Sequence, residues 1–152
     1  TPRFPCDSLS MPWLPKRCVV VPFDFSEDSQ AAVETALQMV EEAAQVHVVH
    51  VLPKVEPSDP EYLWMTADNA ARRLHTEQAL AERLNDPKFR DLRFHVAFGD
   101  PGHEVADFAA KYAAELIVLP SHGRTGLQRL LIGSTAERIV RLAHCPVLVL
   151  RK

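Results

Sequence analysis

At 152 residues, 47% of them hydrophobic, the chain has the size of one ordinary domain and can bury a core without disulfide or metal staples. Its net charge of -3 at pH 7 gives no general attraction to nucleic acid or to an anionic membrane surface, so neither is expected as a partner. No apolar run approaches the roughly 18 residues of a membrane span, and the N-terminus lacks the charged start and apolar middle of a secretory leader, which together suggest a cytoplasmic protein.

Residues 1–15 hold four prolines and no periodicity, which predicts a flexible N-terminal arm ahead of a single domain over 16–152. From Arg17 the run RCVVVP reads as a short strand ended by Pro22. A helix follows, with Ala32, Val33, Ala36, Leu37 and Val40 at helical spacing, and Ser26 placed as its N-cap ahead of Glu27 and Asp28. Val46 to Leu52 form a second strand, on which His47 and His50 point to opposite faces and so do not share one metal site. A Pro-rich connection leads to an amphipathic helix over about 61–84, its expected apolar stripe being Ala67, Ala70, Ala71, Leu74, Ala81 and Leu84.

The third strand alternates strictly, Leu92, Phe94, Val96 and Phe98 against Arg93, His95 and Ala97, as expected where one face is wetter. A helix over 102–113, the strand ELIVLP, a Gly-containing loop, a helix over 134–143 and the strand PVLVL complete the chain. Cys6, Cys18 and Cys145 are widely spaced and contain no CxxC pair, so they read as free thiols, the last two as small core residues.

The order of elements is βαβαβαβαβ, which argues for a doubly wound α/β domain: a five-stranded parallel sheet of order 3-2-1-4-5 with helices on both faces. In such a sheet the ligand sits beyond the carboxyl ends of the strands, at the switch point between strands 1 and 4. That rule selects the loop PFDFS after strand 1 and the loop PSHGRTG after strand 4, and with them Pro22, Phe23, Asp24, Pro120 and Ser121, with Leu119 on the strand just before the second loop. The last strand is an edge in this order, yet Val147 to Leu150 is apolar without a break. An open apolar edge is a liability unless covered, so a homodimer paired through this strand is expected.

Gly123, Gly126 and Gly133 are three of the chain's five glycines, all in the loop that feeds the last helix. Glycines let backbone N–H groups turn toward a phosphate, and the helix start adds partial positive charge. The competing reading is a glycine turn before a capping box formed by Ser134 and Glu137. The loop is not a Walker motif, and no GxGxxG follows the first strand. Arg124 could reach a phosphate or be a solvated loop arginine. Asp24 could accept hydrogen bonds from a ribose or an adenine amine, or form the turn before Ser26.

The segments VVVPFDFSEDSQAAVETAL, VHVVHV and SHGRTGLQRLLIGSTAERIVRLAHCPVLVLRK resemble the universal stress protein family, and the similarity covers Lys16 to the end. Nucleotide-binding members carry Gly, two residues, Gly, nine residues, then Gly-Ser. Gly123 matches the second Gly, and Gly133-Ser134 closes the motif. The resemblance implies Val21, Pro22 and Asp24 at the adenine and ribose, Val51 lining the adenine pocket through its backbone, and Gly123, Gly133, Ser134 and Thr135 on the phosphates. It implies ATP or AMP as ligand, Mg²⁺ only together with the nucleotide, dimerisation through the last strand, and a stress-response sensor with an unidentified regulatory protein partner. A weak ATPase, with Asp24 on a metal-bridged phosphate, and a nucleotide-free interaction module of the same fold are the alternatives. Gly133→Val would place a side chain in phosphate space. Pro120 departs from the motif, standing at its first Gly, where it removes an N–H and adds a ring.

Overall fold

The computed structural model describes residues 12–54, 69–122 and 132–151. Its strands are β1 (Val19–Pro22), β2 (Val46–Leu52), β3 (Arg93–Phe98), β4 (Leu116–Pro120) and β5 (Val147–Leu150); its α-helices are α1 (Glu27–Leu37), α2 (Asn69–Arg83), α3 (Pro101–Lys111) and α4 (Ser134–Leu142). The strands form one parallel sheet in the order β3-β2-β1-β4-β5, as the alternation of elements predicts.

The run of β-branched residues in β1 and β2 suits strands covered on both faces, because successive side chains enter opposite layers. Val19, Val21, Val46, Val48, Leu116 and Val118 face Ala32, Val33 and Ala36 of α1 and Leu80 of α2. Val20, Val49, Ile117 and Leu119 face Val105 and Ala109 of α3 and Ala136 and Ile139 of α4. Each Val, Leu or Ile so buried contributes about 1.5–3 kcal/mol.

His47 and His50 do fall on opposite faces. The first stacks with His95 and meets the tilted rings of Phe108 and Tyr112, and the second lies against Phe25. The β3 edge keeps its alternation: Val96 is buried in the core on one side, while His95 meets the ring of Phe108 on the other. Cys18 and Cys145 are free and half-buried, and burial raises both thiol pKa values.

Two expectations are corrected. The buried face of α2 is Thr76 and Leu80, continued by Leu84, whereas Leu74 is 57% exposed and Ala70, Ala71 and Ala81 are exposed. Thr76 can be buried because its hydroxyl donates to the Arg72 carbonyl at 2.8 Å. Ala67 lies outside the described residues. The second correction concerns α4: Gly133, not Ser134, occupies the N-cap, and no side chain caps the helix. Ser26 does cap α1, accepting from the Ser29 N–H, and Asp100 caps α3, accepting from the His103 N–H. Of the arm, residues 12–15 are described and exposed, and the Lys16 ammonium lies 3.4 Å from the Trp13 ring centroid.

Candidate functional site

A cleft of about 280 Å³ opens at the carboxyl ends of the strands, on the α3/α4 side of the switch point. Its apolar lining comes from Val49, Val51, Val105, Leu119 and Ile139. Around this floor stand Pro22, Phe23 and Asp24 after β1, Pro120 and Ser121 after β4, and Gly133, Ser134 and Thr135 at the start of α4. Ten of the thirteen residues singled out from the sequence are thereby gathered in one place. Val21 is not among them: its parity along β1 sends the side chain, fully buried, to the α1/α2 face. Gly123 and Arg124, like Gly126, lie outside the described residues.

The β1–α1 turn is built by hydrogen bonds and a ring cluster. Asp24 Oδ1 accepts from the Ser26 N–H at 3.1 Å and from the Ser26 hydroxyl, the turn-forming role of a short acidic side chain. Ser26 Oγ in turn accepts from the Ser29 N–H at 3.1 Å, and the Ser29 hydroxyl donates to the Ser26 carbonyl at 2.9 Å. Asp24 therefore both shapes the turn and lines the cleft. Between these two residues Phe25 is held at φ 66°, a strained conformation for a bulky side chain. Its ring meets Phe23 at 5.4 Å and His50 at 5.0 Å, both edge-on, which fixes the turn. His50 Nδ1 lies 2.7 Å from the Phe23 carbonyl; a carbonyl only accepts, so Nδ1 carries the proton.

Sequence reasoning missed His50 and Ser29 as cleft residues, along with Pro101 and Val105 of α3. In the sequence His50 stands out only beside His47, as a candidate metal ligand. The sequence GDPG, an N-cap Asp followed by Pro at N1, was the available signal that α3 also begins at this edge.

The Gly133 N–H donates to the Ser121 carbonyl at 2.8 Å, tying the start of α4 to the end of β4. A Cβ at position 133 would stand 3.2 Å from that same oxygen, so glycine permits the close approach. With Gly133 so used and no side-chain cap present, the first-turn N–H groups beyond it are presented at the cleft. Among the three helices beginning around this cleft, α1 and α3 are capped by their own side chains and α4 is not. A helix start of this kind favours an anionic group.

The prolines at the strand ends explain the shape of the crevice. The pairs Val19↔Leu116 and Val20↔Ile117 are the whole β1–β4 ladder, although β1 pairs with β2 over four residues and β4 with β5 over four. The N–H of Ile117 donates to Pro146, just before β5, that of Ser121 to Leu150 of β5, and that of Phe23 to Val49 of β2. By the alternation of a parallel ladder, the even-numbered residues of β1 and β4 face each other. Beyond Val20, the next two bonds would need the N–H of Pro22, toward the Val118 carbonyl, and then that of Pro120, toward the Pro22 carbonyl. Neither exists, and the strands part.

Among the described residues, no group of three or more His, Cys, Asp or Glu is placed to hold a metal, and no helix is long and apolar enough to cross a membrane.

Comparison with known proteins places this geometry in a lineage. The pattern of the universal stress protein family matches residues 17–151. Universal stress protein MJ0531 of Methanocaldococcus jannaschii is 34% identical over 140 residues, covering 88% of this chain and 81% of the relative. The structure of universal stress protein UspA from Lactobacillus plantarum superposes with a TM-score of 0.67 at 27% identity, covering 88% of this chain and 96% of that one. A universal stress protein solved in complex with cAMP shares the fold with a TM-score of 0.59 at 21% identity, over 90% of this chain and 97% of that one.

Proposed function

Because the chain belongs to the universal stress protein family, we propose that it is a stress-response regulatory protein that binds an adenine nucleotide, ATP or AMP, in the cleft between β1 and β4. The observation that carries this reading is the uncapped start of α4, which faces a cleft of about 280 Å³ beside an apolar floor. In this reading Pro22, Phe23, Asp24, Val51 and Leu119 hold the base and ribose. Ser134 and Thr135, with Gly133 and Ser121 shaping their backbone, hold the phosphates together with Gly123 and Arg124 of the preceding loop. A protein of the same fold solved with cAMP supports the ligand class. Mg²⁺ would enter with a nucleoside triphosphate.

Isothermal titration on protein stripped of co-purified nucleotide tests this. We expect heat of binding with ATP-Mg or with AMP, and a released adenine nucleotide in the mass spectrum of freshly purified, denatured protein. Silence in both titrations sinks the proposal.

A nucleotide-free interaction module is the second reading, favoured by Pro120 alone. A large gain in affinity in Pro120→Gly would place the native chain there. For assembly, we propose a homodimer paired through β5, whose four residues are each left half-buried at the sheet edge.

A further inference from the structure

We propose that Asp100 and Arg138 are positioning residues for the nucleotide, a pair that holds the start of α4 against α3, so that a carboxylate near an anion site promotes anion binding. This rests on the nucleotide reading above and adds two residues that act on the phosphate end of the cleft from outside it.

Neither residue lines the cleft, yet each is joined to a segment that does. Asp100 precedes the lining residue Pro101 and caps α3: its Oδ1 accepts from the His103 N–H at 3.0 Å and lies 3.0 Å from His103 Nδ1. Its Oδ2 accepts from the Arg138 guanidinium. The His103 hydrogen bonds, aided by the Arg138 charge, hold the Asp100 carboxyl below its ordinary range, so it is an anion at neutral pH. The stem of Arg138 is fixed as well. A Cβ at Gly102 would stand 2.7 Å from Cβ, Cγ and Cδ of Arg138, so the buried glycine leaves a slot on α3 in which that stem lies.

Arg138 stands one turn after Ser134 on the same side of α4, and a helical side chain leans toward the N-terminus of its helix. The guanidinium therefore runs back along the uncapped first turn. The Gly133 N–H anchors that turn to β4 at 2.8 Å, and the Asp100–Arg138 pair anchors it to α3. An anion is held best by N–H groups that are already aligned, and a turn that must first be ordered binds it less tightly. Positioning and direct electrostatics thus give opposite signs for Asp100. A carboxylate acting only through its charge repels a phosphate, and its removal would tighten binding; a carboxylate that positions α4 does the reverse.

The experiment uses Asp100→Asn, Arg138→Met and Arg138→Lys. Asparagine keeps the cap on α3 and loses the charge, and methionine keeps an unbranched stem in the Gly102 slot and loses the cation. Titration calorimetry on stripped protein with AMP, ATP-Mg and adenosine is expected to show AMP and ATP-Mg weakened by about fivefold in Asp100→Asn and Arg138→Met, the upper end of what an exposed ion pair contributes. Arg138→Lys should keep the native affinity, and adenosine, which lacks a phosphate, should behave alike in all four proteins. Hydrogen exchange gives a reading that needs no nucleotide: the Glu137 amide donates to the Gly133 carbonyl at 2.8 Å and should exchange faster in Asp100→Asn and Arg138→Met. Far-UV circular dichroism verifies that each variant is folded; if Arg138→Met is not, Asp100→Asn decides alone. Unchanged or tighter AMP binding in Asp100→Asn overturns this proposal while leaving the nucleotide reading intact. So does an equal loss for adenosine, native protection of the Glu137 amide in both variants, or Arg138→Lys behaving as Arg138→Met. Failure of the native chain to bind either AMP or ATP-Mg overturns the nucleotide reading, and this proposal falls with it.

Discussion

His47 and His95 meet across β2 and β3, Nδ1 to Nε2 at 3.0 Å, with ring planes 9° apart. The pair sits under Phe108 of α3 and Tyr112, the C-cap of that helix, away from the cleft, with His47 buried and His95 half-buried. Burial is the main cause that lowers the His47 pKa to about 4, with His95 and the Arg93 guanidinium adding to it; burial and Arg93 also lower that of His95. Below its ordinary value of 6.5, the unfolded chain therefore takes up a proton that folded His47 refuses. The stabilisation from keeping the pair neutral is complete above pH 6.5 and is lost as pH falls toward 4. His47 alone gives a slope of up to about 1.4 kcal/mol per pH unit within that window. Unfolding curves from pH 7 to 4.5 should show this acid loss, and His47→Leu should flatten it; an unchanged slope in the variant would remove the pair as its cause.

The face of α2 is tested by two leucines six residues apart. Leu80 is fully buried against the sheet and Leu74 is 57% exposed. Leu80→Ala should cost about 2–5 kcal/mol in urea unfolding. Leu74→Ala should stay within about 0.5 kcal/mol. Reversed magnitudes would mean that α2 is rotated from the arrangement described.

These two leucines show where sequence reading works and where it stops. The order of the sheet is legible because short β-branched runs alternate with helical patterns, and a right-handed crossover leaves few ways to arrange five parallel strands. The position of the cleft follows from that order alone. The face of α2 is not legible from apolar spacing, since a search for apolar residues passes over Thr76, whose hydroxyl is satisfied within its own helix. Nor does the resemblance that implies Val21 at the adenine and ribose carry its side chain into the cleft: one step of parity separates it from the cleft-lining Pro22. Ser134 looks like a cap by composition, but the bond from the Gly133 N–H to Ser121 sets the helix start one residue earlier. The meaning of Pro120 required the register of three strands, which no single segment contains.

Gly133→Val, attractive as a loss-of-binding control, strikes the protein before it reaches a ligand. The Cβ it adds would lie 3.2 Å from the Ser121 carbonyl oxygen and 3.8 Å from the His122 Cα. Relieving the nearer contact lengthens the 2.8 Å bond from the Gly133 N–H that anchors α4 to β4. We expect Gly133→Ala to lower stability by about 1 kcal/mol in nucleotide-free protein, and Gly133→Val by more. Thermal unfolding without nucleotide measures it. Native stability in both variants would show instead that the glycine serves a ligand alone.

The proposed pairing of β5 with its twin can be broken without cutting β5 from its own sheet. Ser121 donates to the Leu150 carbonyl and Ile117 to that of Pro146, which fixes the alternation along this edge. Leu148 and Leu150 accordingly direct their N–H groups to β4, and Val147 and Val149 direct theirs outward. Proline is tolerated on an edge strand where its missing N–H faces away from the sheet. Val149→Pro should therefore leave the β4–β5 ladder in place while removing a donor from the open edge and adding a ring where a second strand would lie. Sedimentation velocity at micromolar concentration should show a dimer for the native chain and a monomer for Val149→Pro, with far-UV circular dichroism unchanged. Leu148→Pro, which cuts the bond to β4, should instead lose the fold signal as well. A native chain that sediments as a monomer, or a Val149→Pro variant that remains a dimer, would show that β5 is not the joining edge.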